Sequence, residues 1–240
     1  MAEIFERNYD LRTSDFDCFG SILPGAVLDI FQDIAGRHSQ SLKVGVDDLK
    51  EKNLIWVLVK VRFEVLGKLK MHQQIKVKTW PLPPSRVTLR REYLISDEEG
   101  NLLIKGASEW AVVHIKRRRI MPALGIYNIP DGDFCTENAI DGKLTKIHDF
   151  TPEEVGFEVV PRFCDIDVNG HVNNTKYANF VMDAIPPENK EISSFQIDYH
   201  REVLKGCRLI IHTKCEENDV TALGKSNEGE TMFSCKMSFK

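Results

Sequence analysis

The six cysteines form no CxxC pair and no Cys/His spacing of the kind that holds zinc, so neither a structural metal site nor a thioredoxin-like redox centre is expected. An apolar run of membrane-spanning length is also missing, and neither a secretory leader nor a transit peptide is expected. The opening "MAEIFERNYDLR" mixes acids with bases and runs straight into strand-like sequence. The expectation is a mature protein that begins at Met1 and sits in the cytoplasm with reduced thiols. Positive charge is not in excess either. A formal net charge of -4 leaves no overall nucleic-acid signature, so any basic partner site must be local. What is present is an ordinary globular composition, 42% hydrophobic and 28% charged, over 240 residues, enough for one large domain or two small ones.

An internal repeat decides between these. "RTSDFDCFGSIL" (Arg12 to Leu23) aligns without a gap on "RFCDIDVNGHVN" (Arg162 to Asn173), so that Arg12/Arg162, Asp15/Asp165, Asp17/Asp167 and Gly20/Gly170 coincide. Helical spacing follows both blocks: Val27, Leu28, Phe31, Ile34 and Ala35 in the first, Tyr177, Ala178, Val181, Ala184 and Ile185 in the second. Pro24 suits the first turn of the first helix, and Asn173 or Asn174 the N-cap of the second. A weaker match pairs "FEVL" (Phe63 to Leu66) with "REVL" (Arg201 to Leu204), which sets Glu64 beside Glu202.

Strand patterns come after each helix: "IWVLVKVRFEVL", "QIKVKTW", "RVTLRREYLIS" and "NLLIKGASEWAVVHI" in the first half, "SSFQIDYHREVL", "RLIIHTKC", "DVTALGKS" and "ETMFSCKMSF" in the second. "DEEGN" and "SNEG" read as hairpin turns. The pattern predicts an α+β chain, two copies of a long helix laid on an antiparallel sheet: an N-terminal unit over 1–115, a connector over 116–155 rich in Asp-Gly pairs and proline, and a C-terminal unit over 156–240. Within "IKRRRI", Lys116, Arg117, Arg118 and Arg119 repel one another, and the stretch reads either as a solvated connector or as a docking site for an acidic carrier protein or a phosphopantetheine phosphate.

"DIDVNGHVNNTKY", with Asn169 two residues before His171, "YHRE" at Tyr199 to Glu202, and the two fused halves together resemble the acyl-acyl-carrier-protein thioesterases, of the short bacterial kind. That resemblance implies two tandem hotdog units forming an intramolecular pseudo-dimer, with the site on the second copy and the first unit silent and walling the acyl pocket. It implies hydrolysis of fatty acyl-carrier-protein thioesters, which ends fatty acid synthesis by releasing free fatty acid, with acyl-CoA hydrolysis or a non-catalytic acyl-binding role as the alternatives. It implies no cofactor or metal, the acyl-carrier protein with its phosphopantetheine-linked chain as partner, and leaves room for a homodimer. Carried over residue by residue, it places catalysis on Asp167, Asn169, His171 and Glu202. Plant members typically carry cysteine right after that glutamate, where this chain has Val203.

The chemistry of these residue types agrees. Thioester hydrolysis needs a positioned water or nucleophile, a group to handle its proton, and donors facing the developing oxyanion. His171 exchanges a proton near neutral pH, Asp167 or Glu202 can orient it or activate water, and Asn169 can hold substrate or water. Asp167 as an attacking nucleophile stays open at this level. Where the second copy has Asn169, His171 and Asn173, the first has Phe19, Ser21 and Leu23, so only the second keeps proton-transfer groups. Cys164 beside the motif is expected to be packed in a strand. Trp56, Trp80 and Trp110 are expected in the core or in an acyl-pocket wall.

Overall fold

The computed structural model of the chain describes residues 4–127, 129–130, 133–185, 187 and 190–240. Met1 and the Asp131-Gly132 pair of the expected connector lie outside them. The chain divides into two compact units, one made of Met1–Thr13 and Asp29–Leu144, the other of Ser14–Leu28 and Thr145–Lys240.

The first unit contains β1 (Phe5–Asp10), most of α1 (Pro24–Ser41), α2 (Val46–Glu51), β2 (Leu54–Val65), β3 (Gln74–Pro81), β4 (Leu89–Ser96), β5 (Leu102–His114) and the two-residue β6 (Arg119–Ile120). Its strands pair antiparallel in the order β1-β3-β4-β5-β2, with β6 on β5. The alternation read from the sequence appears as alternating burial along β3, where Ile75, Val77 and Thr79 point inward. Along α1, Val27, Leu28, Phe31, Ile34, Ala35 and His38 are all buried, the stripe a helix presents to a sheet. Its central knob is Phe31. That ring stacks on Tyr93 at 4.1 Å, meets Phe63 edge-on at 6.4 Å, and occupies the space a Cβ on Gly106 would need. Tyr93 and Phe63 are the cross-strand partners of Gly106, so a missing side chain between two aromatic ones makes the hole that receives the helix.

His38 closes the same helix in an apolar setting. Its Nδ1 accepts from the buried Arg91 guanidinium at 3.0 Å, and burial first, then the Arg91 charge, lower its pKa to about 3. The imidazole is therefore a neutral acceptor at physiological pH, not a proton-transfer group.

The second unit contains β7 (Phe157–Val159), α3 (Lys176–Ala184), β8 (Ile192–Tyr199), β9 (Leu209–Glu216), β10 (Asp219–Ser226) and β11 (Thr231–Phe239), and its sheet runs β8-β11-β10-β9-β7, again antiparallel. Here Tyr177 of α3 packs edge-on against Phe233 at 5.1 Å and Tyr199 at 5.4 Å, and Phe233 leans over Gly224, its partner across β10 and β11. The expected second long helix is only nine residues, half the eighteen of α1. Pro186 follows Ile185 directly, and a residue before proline is pushed out of helical geometry; Ile185 sits at φ -137° and ψ 75°.

The stretch from 134 to 149 has no strand partner among the described residues, yet Phe134, Ile140, Leu144 and Ile147 on it are buried. Backbone groups that enter a core without a ladder must find side chains. In the first unit Trp80 Nε1 donates to the Glu137 carbonyl, Glu92 Oε2 accepts from the Ala139 and Ile140 amides at 2.8 and 3.2 Å, Arg90 donates to the Ile140 and Gly142 carbonyls, and Lys60 to that of Leu144. In the second unit Gln196 donates to the Thr145 carbonyl and Asp198 accepts from the Ile147 amide at 2.9 Å. The segment is a strap, sewn to each sheet by polar side chains that are otherwise unexpected in a core. No helix among the described residues is long and apolar enough to cross a membrane.

Candidate active site

The repeated "D-x-x-G" is a turn that the chain builds twice. In the second copy the Asp167 carboxylate oxygen Oδ1 accepts from the Asn169 and His171 amides at 2.8 and 3.4 Å, Asp167 N–H donates to the His171 carbonyl at 2.8 Å, and Gly170 N–H donates to the Asp167 carbonyl at 3.0 Å. In the first copy Asp17 Oδ1 accepts from Phe19 and Ser21, both at 2.9 Å, with the same pair of backbone bonds at Ser21 and Gly20. Gly20 and Gly170 have φ of +80° and +84°, a left-handed conformation in which a side chain is strained, and nothing stands within 4 Å of a Cβ at either place. Backbone angle, not space, requires glycine there. The residues shared by the copies therefore form the turn, and those that differ are free for chemistry.

In the second copy that freedom is used by His171. An isolated bridge joins His171 to Leu204, Val172 N–H donates to the Val203 carbonyl at 2.8 Å, and so the segment just after β8 is carried alongside the turn. This brings His171 Nε2 to 3.1 Å from Glu202 Oε2, with the histidine side chain 30% exposed and the glutamate 66%. The pair is reachable by solvent and substrate. Asn169 hangs from the same turn, its Nδ2 at 3.3 Å from Asp167 Oδ2. Of the four expected residues, His171 and Glu202 meet directly, whereas Asp167 grips the turn and Asn169, and no contact joins it to the imidazole ring. In the first copy Ser21 stands in place of His171, and Glu64 is ion-paired with Arg62 at 2.8 Å and Lys105 at 3.0 Å.

Three local expectations are corrected. The segment around Cys164 is a turn of 3-10 helix (Phe163–Asp165), not a strand, and Cys164 is exposed. The alternation there misleads because Asp165 folds back, its Oδ2 accepting from the Arg162 amide at 2.7 Å, which caps a turn. β8 stops at Tyr199, short of the expected "HREVL", since His200 and Arg201 both donate to the Met232 carbonyl and pull the chain out of register. The N-cap of α3 is Thr175, not Asn173 or Asn174. Asn173 Oδ1 accepts instead from the Thr175 amide and hydroxyl, which sets the N-cap one residue beyond Asn174 and two beyond Asn173.

Tyr177, assigned from sequence only to the apolar stripe, belongs to this neighbourhood. Burial raises its phenol well above the ordinary range, a hydrogen bond from the Val203 amide opposes the rise, and the Glu202 and Asp167 carboxylates add to it. Its position six residues after His171 was the only signal available. Lys116, Arg117 and Arg118 fall in the first unit, in the exposed hairpin turn between β5 and β6, and Arg119 opens β6.

Residues 2–125 match the acyl-ACP thioesterase N-terminal domain and residues 151–240 the acyl-ACP thioesterase C-terminal domain. The chain is 28% identical over 246 residues to a chloroplastic acyl-[acyl-carrier-protein] hydrolase, FATB3, of Cuphea viscosissima, covering 94% of this chain and 56% of that protein. It is 27% identical over 214 residues to a chloroplastic palmitoyl-acyl carrier protein thioesterase of Cuphea hookeriana, covering 83% of this chain and 52% of that one. The chain thus spans about half the length of the curated relatives it matches. In fold it is similar to an acyl-ACP thioesterase from Bacteroides thetaiotaomicron, with a TM-score of 0.90, 24% identity and coverage of 99% of this chain and 98% of that one. It is also similar to a 12:0-ACP thioesterase from Umbellularia californica, with a TM-score of 0.82, 24% identity and coverage of 99% and 97%. With both halves matched in order, and the turn that bears His171 inside the C-terminal match, the chain belongs to the acyl-ACP thioesterase family.

Proposed function

We propose that the chain hydrolyses thioesters of fatty acyl chains carried on acyl-carrier protein, releasing free fatty acid and a carrier thiol. The observation that carries this reading is the solvent-reachable His171–Glu202 pair at 3.1 Å, beside Asn169, in a chain of this family. Water adds to the thioester carbonyl and forms the new C–O bond while the pair takes its proton. The C–S bond then breaks, and the proton passes to the departing sulfur. Asn169 holds the carbonyl or the water, and Asp167 serves by positioning Asn169, since both of its carboxylate oxygens are already engaged within the turn. Water is favoured over Asp167 as nucleophile for the same reason. Each unit is read as a hotdog, within an N-terminal silent half over 1–115, a connector over 116–155 and a catalytic half over 156–240. A cytoplasmic setting goes with the six free thiols.

The carrier is acidic in this reading and meets Lys116, Arg117, Arg118 and Arg119. The test is product release from a panel of acyl-carrier-protein and acyl-CoA substrates of increasing chain length. Free fatty acid should appear, with the carrier substrates preferred, and reversing Arg117 and Arg118 to Glu should raise KM for the carrier substrates and blunt its salt dependence. Equal use of acyl-CoA would move the function to the CoA alternative; bound thioester that survives long incubation would leave an acyl-binding protein. Cys164, though exposed, has no place in the scheme, and Cys164→Ala should keep most of the turnover. Acyl label trapped on Cys164 after rapid quenching would sink the water mechanism.

A further inference from the structure

Glu202 stands on a segment that has left the sheet. β8 ends before it, at Tyr199, and the Glu202 side chain is 66% exposed, so its own surroundings do little to keep it 3.1 Å from His171. What is held is the next residue. Val203 is fully buried, and both of its backbone groups are engaged: the carbonyl accepts from the Val172 N–H at 2.8 Å, and the N–H donates to the Tyr177 hydroxyl. One anchor comes from the strand-like end of the His171 turn and the other from α3. The Val203 N–H belongs to the same planar peptide as the Glu202 carbonyl, so a fixed partner for it also fixes where the Glu202 Cα lies.

Tyr177 is built as a rigid post. It is 2% exposed, and its ring meets Phe233 and Tyr199 edge-on. Burial keeps the phenol protonated, so its oxygen meets the amide as a neutral acceptor. The other copy has no such post. Aligned without a gap, the repeat sets Val27 against Tyr177, and Glu64, the counterpart of Glu202, lies inside β2, where the ladder to Lys105 fixes it. The hydroxyl is found in the copy whose glutamate has come off the sheet.

We propose that Tyr177 is a positioning residue for the hydrolysis: by taking the Val203 amide, its hydroxyl holds Glu202 against His171. The inference rests on the hydrolysis reading above and adds a residue that acts through Glu202. Without the hydroxyl, the buried amide loses its acceptor, and an unpaired amide in a core is costly enough for the segment around Val203 to shift toward water. Glu202 is carried with it, and a displacement of about 1 Å is enough to misalign a proton transfer.

The experiment is a double-mutant cycle of Tyr177→Phe and Glu202→Gln on an acyl-carrier-protein thioester, with amide hydrogen exchange at Val203 measured alongside. Tyr177→Phe keeps the ring and removes the acceptor. It should lower kcat about tenfold with KM little changed, and lower it no further once Glu202 is glutamine. Exchange at the Val203 amide should be slow in the unchanged protein and faster in Tyr177→Phe. An equal fall of kcat in both backgrounds would mean that the hydroxyl acts apart from Glu202 and overturns the proposal, as does a kcat that stays at the parent value. A Val203 amide that exchanges freely in the unchanged protein overturns it as well, and that measurement needs no variant to fold. If the unchanged protein releases no fatty acid while its Val203 amide is protected, the hydrolysis reading fails and takes the role with it, although the anchor itself is seen.

Discussion

His171→Ala and Glu202→Gln are each expected to lower turnover by at least roughly 100-fold, with folding intact. The imidazole and carboxylate lie 3.1 Å apart and are the groups in this turn placed to move a proton together; alanine removes the acceptor, and glutamine keeps the shape while losing the charge that orients it. Neither side chain is buried enough to hold up the fold, because the turn is fastened by Asp167 and by backbone bonds. Ser21→Ala supplies the matched control in the other copy, where the same turn carries serine in place of the histidine, and it should cost little. Turnover and thermal melting measured on all three proteins decide the matter: a His171→Ala protein that melts normally and still turns over at the parent rate would remove the pair from the chemistry.

Glu92→Ala is expected to lower the free energy of unfolding by about 3 kcal/mol. The side chain is fully buried, and its loss strands three donors at once, Arg90 and the amides of Ala139 and Ile140. Burial raises the Glu92 carboxyl above its ordinary value of 4.5, against the lowering by Arg90 and the two amides. A carboxyl whose folded value is the higher one contributes its full stability below the unfolded value and loses it as pH rises through the folded value. The advantage of the parent over Glu92→Gln should therefore be greatest in acid and narrow as pH climbs above 4.5. Urea midpoints of the parent and both variants across that range test this. An unchanged midpoint for Glu92→Ala, or a gap that widens with pH, would contradict it.

Strands were legible where one face is buried and the other is not, because period-2 alternation survives in the sequence: β10 stands at Asp219–Ser226, residue for residue where "DVTALGKS" lies. The site was legible through the duplication, which set Asn169 and His171 apart from a shared turn. Elsewhere local pattern failed for local reasons. Around Cys164 the alternation belonged to a capped turn, and beyond Tyr199 two amides sharing the Met232 carbonyl ended a strand that the sequence would have continued. The strap was not legible at all. Its partners, Glu92 for Ile140 and Asp198 for Ile147, are 48 and 51 residues away, and bonds of that range leave no periodic trace in either segment.

That separation also gives the strap a place in time. Its amides can settle only after β4 and β8 exist to offer their carboxylates, and closing loops of that size before anything rewards them is entropically unfavourable. The bonds of the 134–149 stretch therefore follow the formation of β4 and β8, and its backbone is released when those carboxylates are lost.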